Sequence, residues 1–234
     1  MFCMKTTFFS RSFFLLVGLL LATVAVRAER REFVLRGFDR LVLGNEFIID
    51  IKQGNEFKVS AHGAPRDLTN LEAVMTGRTL AVRFKKTYAN PSKMRIRLSV
   101  VMPVLRGLAL GGESNATVEG FENQDAVDLA VGGGSKAKMK LSARKMRLDV
   151  TGASELTLSG EADELTGTVA GASEVRGFNF EIRHAKLNVM DNSNAHVLVT
   201  KALLAEATGS SNVRYRGGAI LRASTSATSS VRNE

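Results

Sequence analysis

Tryptophan is absent from this 234-residue sequence, while cysteine occurs once and histidine and proline three times each. A single cysteine excludes a disulfide framework, an iron–sulfur centre and a thiolate zinc site. His62, His184 and His196 lie far apart with no ligand spacing, so no metal or other cofactor is expected. Aromatic residues make up only 6% of the chain, which leaves few rings on which bases could stack, and nucleic acid is not an expected partner. Hydrophobic residues make up 44% and charged residues 24%, too apolar for a disordered chain. The length points to one domain with a real core.

Long apolar runs are equally scarce. The one present, Phe13 to Val26, is about 14 residues, short of the roughly 20 that cross a bilayer as a helix. Lys5 and Arg11 precede it, and Val26-Arg27-Ala28 places small residues where signal peptidase reads. Residues 1–28 are therefore expected to be a signal peptide cleaved after Ala28. Cys3 leaves with it, and the remaining chain has no transmembrane segment. Loss of Lys5, Arg11 and Arg27 leaves 29 basic against 23 acidic side chains, a net charge of +6. A basic excess on an exported chain suits either solubility or an anionic surface such as acidic polysaccharide, lipopolysaccharide or phospholipid headgroups. The expected location is the periplasm or the cell exterior.

What fills the rest is a repeat. LALGGESNATV (108–118), LAVGGGSKAKM (129–139), LDVTGASELTL (148–158), GTVAGASEVRG (167–177), LNVMDNSNAHV (187–197) and AEATGSSNVRY (205–215) share one pattern. Two alternating apolar positions lead to a small bend, a serine and a second alternating stretch; a decayed copy runs through 221–231. A period near 20 with apolar residues at every second position predicts a β-solenoid, each coil paired in parallel with the next. No coil buries its apolar face alone, so the stack must fold together. Gly112, Gly133, Gly152, Gly171 and Gly209 stand two residues before the serine, where a corner calls for positive φ or for no Cβ; Asp191 replaces them once. A second corner is predicted at Gly120, Gly160, Gly177 and Gly217, with Phe121 and Phe178 following two of them. Residues 29–107 are less regular, yet 47–51, 57–61, 80–84 and 94–100 alternate cleanly between connections marked by Pro65, Pro91 and Pro103. They are read as wider first coils of the same domain (29–234), with 108–234 as the regular coils. The polar ends, 29–32 and 224–234, are expected to blunt the edge strands.

The opening GFDRLVLGNEFIIDIKQGNEFKV, followed by the corners GGESNA, GGGSKA, TGASEL, AGASEV and TGSSNV, resembles the head GIN domain family over about residues 36–232. That family, also labelled putative auto-transporter adhesin, is a domain of unknown function found in exported bacterial proteins. The resemblance implies an all-β, right-handed single-stranded parallel β-helix and no established activity. DNSNAH (191–196) departs from the family's corner.

Candidate chemistry is sparse. The serines Ser114, Ser135, Ser154, Ser173, Ser193 and Ser211 lack the G-x-S-x-G elbow of a nucleophile and recur too often for one. They are expected to form a stacked corner ladder of hydroxyls bonded to backbone groups of neighbouring coils. Glu155 and Glu174 fall at equivalent places one coil apart, a spacing that resembles the carboxyl pair of a retaining glycosidase. Their column reads Asn115, Lys136, Glu155, Glu174, Asn194, Asn212, however, an exposed polar row with Lys136 beside the first glutamate. Asp191, Asn192 and Asn194 offer too few oxygens for calcium and read as a turn. Basic residues cluster more convincingly. Lys136, Lys138 and Lys140 alternate with apolar residues and share one outward face, and Arg144, Lys145 and Arg147 follow. An earlier set comprises Arg83, Lys85, Lys86, Lys93, Arg95 and Arg97. Lys136, Lys138, Lys140, Arg144, Lys145 and Arg147 are the expected polyanion-binding residues, their partner an acidic glycan or envelope surface. The leading expectation is a non-enzymatic, adhesin-like, glycan-binding β-helix. A structural envelope component that binds a protein partner or a second copy is one alternative; an acidic polysaccharide lyase or hydrolase built on Glu155 and Glu174 is the other.

Overall fold

The structure, a computed structural model, describes residues 29–234 except Ala227. The expected signal peptide lies outside the described residues. It is a β-solenoid of about seven coils, each of about 19 residues. The irregular part comprises β1 (Glu29–Phe33), β2 (Arg40–Leu43), β3 (Ile48–Gln53), β4 (Lys58–Gly63), a short helix α1 (Pro65–Thr69), β5 (Leu71–Thr76), β6 (Thr79–Phe84) and β7 (Arg97–Met102). The regular part comprises β8 (Gly107–Leu110), β9 (Asn115–Val131), β10 (Lys136–Val150), β11 (Glu155–Val169), β12 (Glu174–Val189), β13 (Asn194–Ala207), β14 (Asn212–Arg216), β15 (Ile220–Thr225) and β16 (Ser230–Asn233).

Alternation drives the stack. In β10, Ala137, Met139, Leu141, Ala143, Met146, Leu148 and Val150 are buried while the residues between them face out. The alternation slips once, at the exposed neighbours Arg144 and Lys145, where the coil turns a corner. Each fully buried leucine or methionine contributes about 1.5–3 kcal/mol of transfer free energy, but only when a coil above and a coil below cover it. Parallel pairing runs from β9 through β10, β11, β12 and β13, to β14 and then β16 on one stretch of the coil and to β15 on the other.

Each coil closes through two consecutive left-handed residues: Gly112–Glu113, Gly133–Gly134, Gly152–Ala153, Gly171–Ala172, Asp191–Asn192 and Gly209–Ser210. A Cβ on Gly152 would stand 3.1 Å from the Gly133 amide nitrogen of the coil below, so glycine is favoured there by φ and by space together. The turn peptides pair along the stack as well; the Ala153 N–H donates to the Gly171 carbonyl at 2.7 Å. Asp191 and Asn192 fill the same two positions, as an Asn/Asp turn, while the side-chain oxygen of Asn194 accepts from Asn212 at 3.2 Å.

The first strands depart from a simple run of wider coils. β2 and β3 form a coil sandwiched between the coil of β6 and β7 and that of β8 and β9, so stacking order is not chain order. β4 pairs antiparallel with β7, β1 with β4, and β5 with β6, so this end of the solenoid is closed by β4 and β5, which run against the coils, and by β1 beyond β4. The charged β1 is the outermost, a device that discourages edge-to-edge association. Buried Asp67 holds the cap together by accepting from the Tyr88 hydroxyl and from the Ser92 backbone and hydroxyl. Asp39, also buried, accepts from Arg78 at 2.7 Å and lies 3.6 Å from Arg106, tying the corners of three adjacent coils.

One aromatic differs from expectation. Phe121 lies in register with Leu141, Leu141 with Gly160 and Gly160 with Phe180, so the buried partner in its column is Phe180 rather than Phe178. An extra residue bulges β12 between Arg176 and Asn179 and throws Phe178 to the outside.

Candidate functional site

The serines build the interior of the corner. All six are buried, and the Ser154 N–H donates to the Ser173 hydroxyl, Ser173 to Ser193 and Ser193 to Ser211, each at 3.1 Å. Ser114 donates likewise to Ser135, and Ser211 to Ser229, which adds a further rung. The ladder breaks once. The Ser135 N–H turns back to the Gly132 carbonyl, and the Ser154 hydroxyl is left buried with no partner. The hydroxyls of Ser135, Ser173, Ser193 and Ser211 are sealed from solvent and each accepts a backbone amide, a structural use.

Glu155 and Glu174 are neighbours in register, as their spacing implied. Both are engaged by cations: Lys136 reaches Glu155 at 2.8 Å, and Arg176 grips both oxygens of Glu174 at 2.8 and 2.6 Å while lying 3.6 Å from Glu155. The hydrogen bond from Lys136 holds the Glu155 carboxyl below the ordinary range. A general acid needs the opposite shift, so this pair is set up as an ion-pair network.

The six expected polyanion-binding residues do not form one patch. Lys136, Lys138 and Lys140 project from the first stretch of β10, Arg144 and Lys145 sit at its corner, and Arg147 lies beyond on the second stretch. Lys136 is paired with Glu155, Arg144 with Asp125 at 2.7 Å and Lys145 with Glu164 at 3.2 Å. The hydrogen bond from Arg144 keeps the Asp125 carboxyl low. The earlier basic set is also drawn into local contacts: Arg83 binds Glu72 at 2.7 Å, Arg97 lies 3.8 Å from Asp50, and Lys85 donates to the Thr69 carbonyl. A shallow cleft of about 490 Å³ at the corner is lined by Asp125, Glu161, Asp163 and Glu181 against Arg144 and Arg183, so its charge is net negative.

Stacking assembles a different set. Two residues beyond the mixed polar row, the outward column reads Thr117, Lys138, Thr157, Arg176, His196, Arg214, Arg232 in unbroken register. Arg176, Arg214 and Arg232 escaped the sequence reading because they sit far apart in the chain. Their signal was nonetheless present, since Ser135, Ser173, Ser193, Ser211 and Ser229 are each followed three places on by Lys138, Arg176, His196, Arg214 and Arg232. Beside this column the bulged Phe178 stacks on His196, with ring centroids 5.2 Å apart and planes 18° from parallel. The Arg216 guanidinium lies 4.2 Å over the Phe178 ring. Arg214 and Arg216 stand 3.5 and 3.7 Å from the two oxygens of Glu234, close enough to attract but too far to hydrogen-bond.

The family model for the domain described as putative auto-transporter adhesin, head GIN domain, matches residues 37–219. The chain belongs to the head GIN domain family. No curated protein is significantly similar to it. Among solved structures, a putative adhesin from Bacteroides fragilis superposes with a TM-score of 0.82 at 16% identity, covering 89% of this chain and 97% of that one. A putative lipid binding protein from Parabacteroides distasonis gives 0.70 at 17% identity, covering 88% and 96%. A putative adhesin from Parabacteroides merdae gives 0.67 at 14%, covering 89% and 96%. At these identities the likeness is one of fold. Among the described residues no helix of this GIN-domain protein is long and apolar enough to cross a membrane.

Proposed function

We propose that this protein is an exported, non-enzymatic, adhesin-like module that binds an extended acidic glycan of the cell envelope or its surroundings along the flat face of its first strands. The outward column that holds Lys138, Arg176, Arg214 and Arg232, with Thr157 and His196 among them, carries the reading, because register lines up cations from distant parts of the chain along a rigid rod. Strands stacked about 4.8 Å apart present charges at a pitch that a linear polyanion meets at several points together, so weak contacts add as avidity. Export rests on the apolar segment ahead of residue 29 and on the adhesin-like family. The lipid binding description of one neighbour points to a headgroup instead. Against it, the exposed apolar side chains Val42, Val74, Leu204 and Ile220 lie on the other stretch of the coil, and Phe178, beside this column, is held between His196 and Arg216 rather than free to enter a bilayer.

The test is retention of the purified protein on neutral and acidic polysaccharides across a salt series, recording newly formed chain ends in parallel. Salt-sensitive retention on acidic polymers without new ends is the expected result. New chain ends would replace this reading with an enzymatic one. Absence of both would leave the structural-component alternative.

A further inference from the structure

The cations of this face are not equivalent, and one end of it differs in kind. At Lys136 and Arg176 the charges are consumed by Glu155 and Glu174 within hydrogen-bonding distance. At the last two coils the side-chain carboxylate of Glu234 reaches Arg214 and Arg216, neither closer than 3.5 Å. Among the described residues no carboxylate pairs with Arg232, which lies in register with Arg214. A cleft of about 300 Å³ opens here between Arg214, Arg232 and Glu234. Arg216 is not loose: its guanidinium rests on Phe178, itself stacked on His196. Phe178 is out there only because β12 bulges by one residue, and bulges commonly serve to re-aim a side chain. A stacked guanidinium has lost part of its rotamer freedom before any ligand arrives, so less is lost when it binds.

We infer that Arg214, Arg216 and Arg232 form the principal anion subsite of the face, which takes the carboxylate or sulfate of an acidic sugar between the guanidinium groups, with Phe178 and His196 as positioning residues. The Glu234 carboxylate occupies the place of that ligand group and is displaced by it. This rests on the glycan-binding reading and narrows it from a uniform strip to one end. A planar guanidinium matches the two oxygens of a carboxylate or sulfate, which an ammonium does not.

Three variants of the purified protein test this against polygalacturonate, dextran sulfate and neutral dextran. The arginines are half-exposed, so Arg214→Ser/Arg216→Ser is expected to fold, with the melting curve as the check. It should weaken binding to both acidic polymers about tenfold, at roughly threefold per guanidinium that grips two oxygens of the ligand group. Lys138→Ser/Lys140→Ser removes as much charge from the same face and should cost less than about threefold. Phe178→Ala keeps every charge and should weaken binding about threefold by freeing Arg216. Equal losses in the arginine and lysine pairs would overturn the subsite while leaving the glycan-binding face intact. Unaltered binding in Phe178→Ala would remove its positioning role. If the wild-type protein retains neither acidic polymer, the parent reading fails as well. Tighter, salt-resistant capture on phosphatidylglycerol vesicles than on either polymer would replace the sugar with a lipid headgroup.

Discussion

Replacing Ser173 with alanine and replacing Ser154 with alanine look alike in sequence, and the structure makes them opposite. The Ser173 hydroxyl is buried and accepts the Ser154 N–H at 3.1 Å. Removing it leaves the Ser154 N–H either orphaned between two coils or turned back to the Thr151 carbonyl, the longer kind of bond that Ser135 makes to Gly132 at 3.3 Å. An orphaned buried N–H costs about 1–3 kcal/mol. The Ser154 hydroxyl is equally buried but unpartnered, since the Ser135 N–H that should reach it is bonded to Gly132 instead. Its removal orphans nothing and discards a buried polar atom, so Ser154→Ala should be neutral or mildly stabilising. The contrast is thus about 2 kcal/mol between serines one rung apart, or roughly 4–8 °C in a melt of a domain this size. With no tryptophan in the chain, unfolding in urea is best followed by far-ultraviolet circular dichroism, comparing midpoints between variants with equal slopes. Equal destabilisation by the two substitutions would refute the reasoning, because it would mean that packing of the methylene, not the amide bond, sets the worth of the column.

Other outcomes follow from the same contacts. Gly160→Ala places a Cβ 2.0 Å from the Leu141 carbonyl oxygen at a φ of +115°, so it should destabilise by more than about 3 kcal/mol or prevent folding, visible as loss of soluble protein. At Asp67 burial pushes the carboxyl up, but hydrogen bonds from Ser92 and Tyr88 outweigh it and the net pKa is lowered. Stability from this group is therefore present above its unfolded value near 3.8 and lost as pH falls through the lowered folded value. Asp67→Asn should cost about 1.5–3 kcal/mol at neutral pH and flatten the acid limb of stability, checked by melts from pH 7 to about 2. Glu155→Gln frees Lys136 and leaves Arg176 held by Glu174 alone, so affinity for an acidic polymer should rise about threefold in a retention assay; a fall would assign the carboxylate a part in binding or turnover.

Much of the fold is legible in the chain because a solenoid writes its architecture locally. Inward and outward positions alternate, corners recur with glycine and serine, and each coil repeats the last, so coil length, parallel pairing and the column of hydroxyls follow from periodicity, while the burial of that column is seen only in the structure. The second left-handed residue of each corner was hidden, since Glu113, Ala153 and Ala172 are not residues that advertise positive φ; the stacked turn imposes it. The first coils were legible as strands but not in their order. β6 and β7 close over β2 and β3, and antiparallel β1, β4 and β5 close over them, through pairings between distant segments that no local pattern encodes. The charged face divides in the same way. Sequence placed Lys136, Lys138 and Lys140 outward, because alternation decides that. Coil spacing also set Lys136 beside Glu155, but only the assembled coils decided that Arg176 faces Glu155 as well as its strand neighbour Glu174, and that Arg214 and Arg232 remain adjacent with little to neutralise them. Which charges face each other across a stack depends on pairing set by the packed core, and that exists only once the coils are assembled.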